Sequence, residues 1–206
     1  TTNITKKITM DNLNYGVIGN CCTAALISEK GSIEWLCFPN FDSPSIFAAL
    51  LDREKGGTFG FEVSEDYHTI QSYVPHTNIL STTFVSEQDE FAVVDFMPCY
   101  ELYDNKEYYR PAEVYRYIRW IKGRPRIKVN YHPAPDYARG KAFFNVTSRY
   151  IETYSSSNNK DRQYLYSNLP KPARTVQNDR DHISSSAYTH RGTRFHYHIR
   201  FLMTIR

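Results

Sequence analysis

Apolar residues along this chain fall into short runs, most of them alternating with polar residues and separated by turn-forming stretches. A period of two places successive side chains on opposite faces of an extended backbone, the pattern of half-buried β-strands. Thr58–Val63 puts Phe59, Phe61 and Val63 on one face, and Arg126–His132 puts Ile127, Val129 and Tyr131 on one face and Arg126, Lys128, Asn130 and His132 on the other. Ile79–Val85 and Phe91–Met97 flank the polar loop Ser86–Glu90 and read as a hairpin. Thr23–Ser28 and Ile33–Phe38 are apolar runs of strand length joined by Glu29–Ser32, where Gly31 supplies the positive φ of a tight turn. Further strands are predicted at Tyr67–Val74, Glu113–Ile121, Ala142–Thr147, Arg149–Tyr154 and Arg162–Ser167.

Only one segment reads as helical. Ser43 stands as an N-cap with Pro44 at the first helical position, and Ile46, Ala49 and Leu50 share one helical face. The expectation is an all-β, antiparallel two-sheet super-β-sandwich with one short helix near residues 45–52. Residues 1–12 read as an arm or first edge strand, and Tyr100–Arg110 as a polar loop. After Leu169, Pro170–His190 reads as a loop and Thr193–Ile205 as one alternating strand.

Composition narrows the class. A chain of 206 residues with 41% hydrophobic residues can bury a core, and its 17 tyrosines and 12 phenylalanines favour strands. No apolar run reaches the roughly 18 residues of a membrane span, and the first residues, TTNITKKITM, lack the apolar core of a signal peptide, so a cytoplasmic location is expected. Cys21, Cys22, Cys37 and Cys99 form no C-x-x-C pair and are expected as reduced thiols; no metal site and no cofactor is expected. The net charge of +3 is uneven: from residue 170 onward seven basic residues face two aspartates. No P-loop, Rossmann fingerprint, nucleophile elbow, zinc finger or RNA-binding string accompanies that basic tail, so neither nucleic acid nor membrane is an expected partner. His196 and His198 form an H-x-H that lacks a third ligand and reads as two surface histidines.

Several stretches carry a family resemblance. YGVIGNC, TAALIS, GSIEWLCFPNFDSPSIFAALLD and the following GG-F resemble the opening of bacterial and archaeal family 15 glycoside hydrolases, a group of glucoamylases, glucodextranases and trehalases. The resemblance returns at Thr77–Leu80, at Val94–Pro98 and at Pro133–Arg139, where Tyr137 and Ala138 stand in the last two places of a D-Y-G element. It implies an N-terminal β-sandwich over residues 1–169 followed by a divergent basic C-terminal segment, 170–206, with the catalytic (α/α)6 barrel absent. The implied partner is that barrel, in a parent enzyme that hydrolyses α-glucosidic bonds with inversion, and no catalytic residue carries over.

The residues themselves leave three readings open. In the first, the chain is a non-catalytic domain that packs against the barrel, with Trp35, Asn40, Phe41, Asp42 and Pro44 facing the barrel or a sugar. In the second it is a carbohydrate-binding module for an oligosaccharide, which requires exposed, coplanar aromatic rings. In the third it is a self-sufficient sandwich-fold glycosidase, which requires two carboxyl groups about 5–9.5 Å apart; Asp42, Asp95 and Asp136 are the candidates because they lie in family-like motifs. The competing roles are loop anchoring for Asp42, turn or arginine pairing for Asp95 and Asp136, and core packing for Trp35. A sandwich without its barrel exposes apolar surface, so self-association is also expected.

Overall fold

The computed structural model describes residues 13–103, 107–157, 161–169, 173–177, 180–188 and 196–205. The arm expected at residues 1–12 lies outside them. Along the chain the first strands are β1 (Tyr15–Gly19), β2 (Ala24–Ser28), β3 (Ile33–Cys37), β4 (Ser45–Phe47), β5 (Thr58–Glu62) and β6 (His68–Tyr73). They are followed by β7 (Leu80–Val85), β8 (Glu90–Phe96), β9 (Tyr100–Glu101), β10 (Tyr108–Tyr109), β11 (Glu113–Lys122) and β12 (Arg126–His132). The last are β13 (Ala142–Val146), β14 (Ile151–Ser155), β15 (Asp161–Ser167), β16 (Ala173–Gln177), β17 (Arg180–Tyr188) and β18 (His196–Ile205).

The strands form two antiparallel eight-stranded sheets. Sheet A has the order β1-β2-β3-β5-β12-β17-β16, with β4 added to β3, and sheet B has the order β13-β14-β15-β18-β11-β8-β7-β6. β9 and β10 make a separate two-stranded ribbon. The inward residues of both sheets form one core, with Ile18, Ile33, Phe47 and Phe59 from sheet A meeting Phe84, Phe91, Ile118 and Phe201 from sheet B. Aromatic rings interlock across it: Phe47 packs on Phe201 at 5.9 Å and Tyr131 on Phe201 at 5.9 Å. The two-sheet sandwich expected from the alternation is therefore the observed fold.

The expected helix is absent. Ser45–Phe47 is strand β4, paired with β3 through Leu36↔Phe47 and Cys37↔Ser45. The physical reason is burial on every side: Ser45, Ile46, Phe47, Ala48 and Ala49 are all buried, so the helical spacing of Ile46, Ala49 and Leu50 marks no single face. Ser43 does not cap a helix; its Oγ accepts from the Asn40 amide at 3.1 Å and closes the preceding turn. Beyond β4 the chain makes one turn, in which Leu51 and Asp52 donate to the Ala48 carbonyl, and Ala48 in turn donates to Gly56 at 2.7 Å. A Cβ at Gly56 would lie 2.2 Å from the Ala48 carbonyl carbon, so the close approach demands glycine.

The segment after Leu169 contributes three strands where a loop and one strand were expected. β18 lies in the middle of sheet B, between β15 and β11, and buries Ile199 and Phe201. β17 pairs with β12 and buries Ile183. Its sequence, RDHISSSAY, alternates no apolar residues, so pairing to a formed neighbour and not local pattern makes it a strand.

Two features tie the layers together. Arg116 on β11 is fully buried and makes a two-point ion pair with Asp95 on β8, Nε to Oδ1 at 2.8 Å and Nη2 to Oδ2 at 3.0 Å. Its guanidinium crosses the core to sheet A, where it donates to the Phe59 carbonyl at 2.5 Å and to the Gly31 carbonyl, and lies 4.6 Å from the Phe61 ring centre. Burial pushes the Asp95 carboxyl up from its usual range, against the downward pull of Arg116. The second tie lies at the β1 margin of sheet A. The Tyr73 hydroxyl, from β6 of sheet B, accepts from the Val17 amide at 2.7 Å and donates to the Val17 carbonyl at 2.9 Å, while Asn78 donates to the Gly19 carbonyl at 2.6 Å.

Replacing Arg116 with leucine strands the Asp95 carboxylate and removes the donors of two buried carbonyls. Removing one member of a buried pair costs about 3–5 kcal/mol, so urea denaturation should show a loss of that size. A loss under about 1 kcal/mol would show that the pair does not hold the sheets together.

Candidate functional site

One end of the sandwich gathers the loops that the sequence singles out. β3 ends at Cys37, and Phe38 stays in the core, stacked on Phe201 at 5.6 Å. The chain then turns outward. Asn40, Phe41 and Asp42 are exposed, Phe41 at 63%, and Pro44 is half-buried as the chain re-enters at β4. The tip is a tight turn in which Ser43 donates to the Asn40 carbonyl at 3.1 Å.

A buried asparagine holds the base of this loop. Asn20 Oδ1 accepts from the amides of Cys22 and Thr23, each at 3.1 Å, and its Nδ2 donates to the Pro111 carbonyl at 2.9 Å. The Cys22 carbonyl accepts from the Phe41 amide at 2.9 Å, so the exposed loop is tethered to a buried polar hub. Thr23 adds a hydroxyl bond to the Cys37 carbonyl at 2.5 Å. Asparagine suits this place because its amide both accepts and donates. All four cysteines are unpaired thiols: Cys21 and Cys99 exposed, Cys22 half-buried and Cys37 buried, with burial pushing the Cys37 thiol up.

The Pro133–Arg139 element packs beside the loop. Ala134 donates to the Ile46 carbonyl at 2.8 Å, and the Tyr137 hydroxyl reaches the Ser43 carbonyl at 3.4 Å. Asp136, Tyr137 and Ala138 are three successive residues in the left-handed region, with φ of 57°, 53° and 57°. A bond from the Ala138 amide to the Ala134 carbonyl at 3.1 Å closes the turn. Such a conformation costs roughly 1–2 kcal/mol per non-glycine residue, and it is held here by docking on both sides. Asp136 anchors the far side, accepting from the Ser157 hydroxyl at 2.7 Å and pairing with Arg139 at 3.6 Å.

Between loop and turn lies a small cleft of about 20 Å³, lined by Phe38, Pro44, Asp136, Asp161 and Gln163 among others. It has room for about one water and is far smaller than a small-molecule pocket. The buried Gln163 Oε1 on its lining has no protein partner. The arrangement suits a bound water or one hydroxyl group.

The structure separates the sequence candidates. Asn40, Phe41, Asp42 and Pro44 share the exposed loop. Trp35 does not join them: it lies half-buried on β3, opposite Leu26 on the outer face of sheet A. Of the three carboxylates, Asp95 is sealed in the core by Arg116, Asp136 is held by Ser157 and Arg139, and Asp42 is exposed at the loop tip. They do not assemble into an acid–base pair. Among the described residues no group of three or more His, Cys, Asp or Glu could hold a metal ion. His198 is exposed, with its ring 4.7 Å from Tyr117; the side chain of His196 lies outside the described residues. Among the described residues no helix is long and apolar enough to cross a membrane.

Sequence reading missed the β9–β10 ribbon. Tyr100, Tyr108 and Tyr109 on it are 44–56% exposed, with Tyr100 against Tyr109 at 5.1 Å. The density of tyrosine in CYELYDNKEYYR was the available signal, in a stretch otherwise polar enough to read as a loop.

The model of the trehalase-like N-terminal domain matches residues 9–160. The chain belongs to that family. This trehalase-like domain is 34% identical over 132 residues to a trehalase of Thermoplasma volcanium, covering 62% of this chain and 20% of the relative. It is 51% identical over 85 residues to Trehalase 1 of Sulfolobus acidocaldarius, covering 40% of this chain and 14% of the relative. A trehalase of Mycolicibacterium smegmatis is 32% identical over 144 residues, covering 63% of this chain and 21% of the relative. The chain thus spans about a fifth or less of the length of these trehalases.

Ala138 offers a direct test of the strained turn. With φ at 57°, the position favours glycine, so Ala138→Gly should raise unfolding stability by about 0.5–1 kcal/mol after the entropic cost of glycine. The check is a thermal or urea melt. A destabilised variant would mean that this backbone is not strained.

Proposed function

We propose that this chain is the non-catalytic N-terminal domain of a family 15-like glycoside hydrolase. In this reading it packs against a separate (α/α)6 barrel, which carries the catalytic carboxylates and hydrolyses an α-glucosidic bond with inversion. The observation that supports it most is the combination of the family match over residues 9–160 with coverage of only about a fifth of relatives named trehalases. The Asn40–Pro44 loop is the natural contact with the barrel: Phe41 is exposed at the tip while Asn20 fixes the base. A rigidly held, exposed aromatic tip loses little freedom on docking. Asp42, beside it, is the one carboxylate of the three candidates positioned to meet a partner or a sugar hydroxyl.

The self-sufficient glycosidase reading needs two close carboxyl groups in a cleft. Asp95 is withdrawn into the core, and the cleft beside Asp136 is too small for a sugar ring.

The purified 206-residue chain should release no glucose above blank from trehalose, maltose or isomaltose. Turnover that survives repurification, and that Asp42→Asn or Asp136→Asn abolishes, would overturn the accessory-domain reading.

A further inference from the structure

The two sheets present unlike outer faces. The centre of sheet A is polar, with Lys128 and Asn130 both bonded to Glu62. A solvated antiparallel sheet is expected to look like this. Sheet B departs from it. Tyr166, Arg200, Tyr115 and Phe96 are direct neighbours across β15, β18, β11 and β8, all in the outward phase. Phe143 and Tyr154 extend the aromatic surface onto β13 and β14. At the other end the β9–β10 ribbon connects β8 to β11, the two strands that carry Phe96 and Tyr115. Outward aromatic rings therefore recur across most of sheet B, with the ribbon adjoining its β8 and β11 strands.

Two ligands compete for such a face, and ring geometry decides between them. A pyranose stacks on an exposed ring face. Here the faces are already used: Phe96 and Tyr115 lie 6° from parallel at 5.1 Å, Arg200 sits over Tyr115, and Arg162 covers Tyr154 at 4.1 Å. Tyr154 also has Phe143 against it at 5.5 Å, and the Tyr115 hydroxyl donates to Glu113 at 2.9 Å. The charges are also satisfied internally, Arg200 by Glu113 and Arg162 by Glu152, so the face does not select an anion. Occupied ring faces and neutralised charge fit a packed protein surface, where tyrosine and arginine are enriched. The ribbon points the same way, since two isolated strands are marginal in water and this pair carries three exposed tyrosines.

We infer that the outer face of sheet B, together with the β9–β10 ribbon, is the seat of the larger portion that trehalase-length relatives carry beyond this domain. This rests on the accessory-domain reading and adds the surface. The ribbon and the Asn40–Pro44 loop share a base: Pro111, which follows the ribbon, accepts from the Asn20 that anchors the loop. The loop and the ribbon therefore rest on one shared support.

The first test uses the chain alone. A docking face is dispensable to the domain's own folding, so Tyr100→Ser/Tyr109→Ser should shift the melting temperature by less than about 2 °C. A fall of 5 °C or more would assign these rings to internal packing and overturn the proposal. The second test compares hydroxyl-radical footprints of the chain alone and of a chimaera in which it replaces the matching fifth of the Thermoplasma volcanium trehalase. The expected result is at least fivefold lower oxidation of Tyr109, Tyr115 and Tyr166 in the chimaera, with Phe41 also protected. Protection of Phe41 without the tyrosines would overturn the face and leave the accessory-domain reading standing; protection of neither would overturn both. Tyrosines protected in the chain alone only at high concentration would assign the face to a second copy. Protection appearing only with added maltoheptaose would assign it to an oligosaccharide, and either result replaces the inference.

Discussion

Arg116 carries a charge into the middle of the sandwich, and its guanidinium joins the two layers. Nε and Nη2 hold Asp95 on the neighbouring strand of sheet B, while Nη1 and Nη2 reach carbonyls on β5 and on the β2–β3 turn of sheet A. Two of the partners are backbone oxygens, so the contact fixes the path of the chain and not merely the proximity of side chains. It also fixes register. Arg116 and Asp95 are direct partners on β11 and β8, and a slip by one residue would expel one charge while trapping the other. A buried pair of this kind contributes little net stability compared with an apolar pair, and its attested value is in specifying one arrangement. The aromatic core then packs around a geometry already chosen, with Phe59 and Phe61 both lying against the guanidinium.

Most of the sandwich was legible because most strands have one wet face. Arg126–His132 alternates cleanly and is strand β12 with the bounds the pattern indicates. The misreadings occur where that condition fails. β4 is buried on all sides, so its run of apolar residues matches a helical template as well as a strand. β17 shows almost no apolar residue and is a strand because β12 offers it a partner. Asp95 drew attention as chemistry because it sits in a family-like motif, yet its role is structural. The signal that identifies it was present: Arg116 occupies the inward phase of Val114 and Ile118, and Asp95 the inward phase of Phe91 and Val93. Opposite charges in the inward phase of two strands describe a core ion pair, but only once those strands are known to be neighbours.

The candidate site was legible in part for a similar reason. The Asn40–Pro44 loop announced itself by its prolines and its polar residues, and it does emerge from the sandwich. Trp35 was grouped with it on sequence proximity, but strand geometry carries Trp35 to a sheet face and away from the loop. The ribbon and the aromatic rows of sheet B could not be found along the sequence at all. Tyr166, Arg200, Tyr115 and Phe96 become neighbours only through three separate strand pairings.

The margin of sheet A formed by β1 has one further consequence. A sheet ordinarily extends by offering its outermost amides and carbonyls to another strand. At Val17 both groups are already satisfied by the Tyr73 hydroxyl, and at Gly19 the carbonyl is taken by Asn78, both side chains reaching over from the opposite sheet. The same bonds that close the sandwich along this side blunt it as a template. Chains meeting at this rim find the middle of its backbone already taken, which disfavours ordered polymerisation even when the protein is crowded.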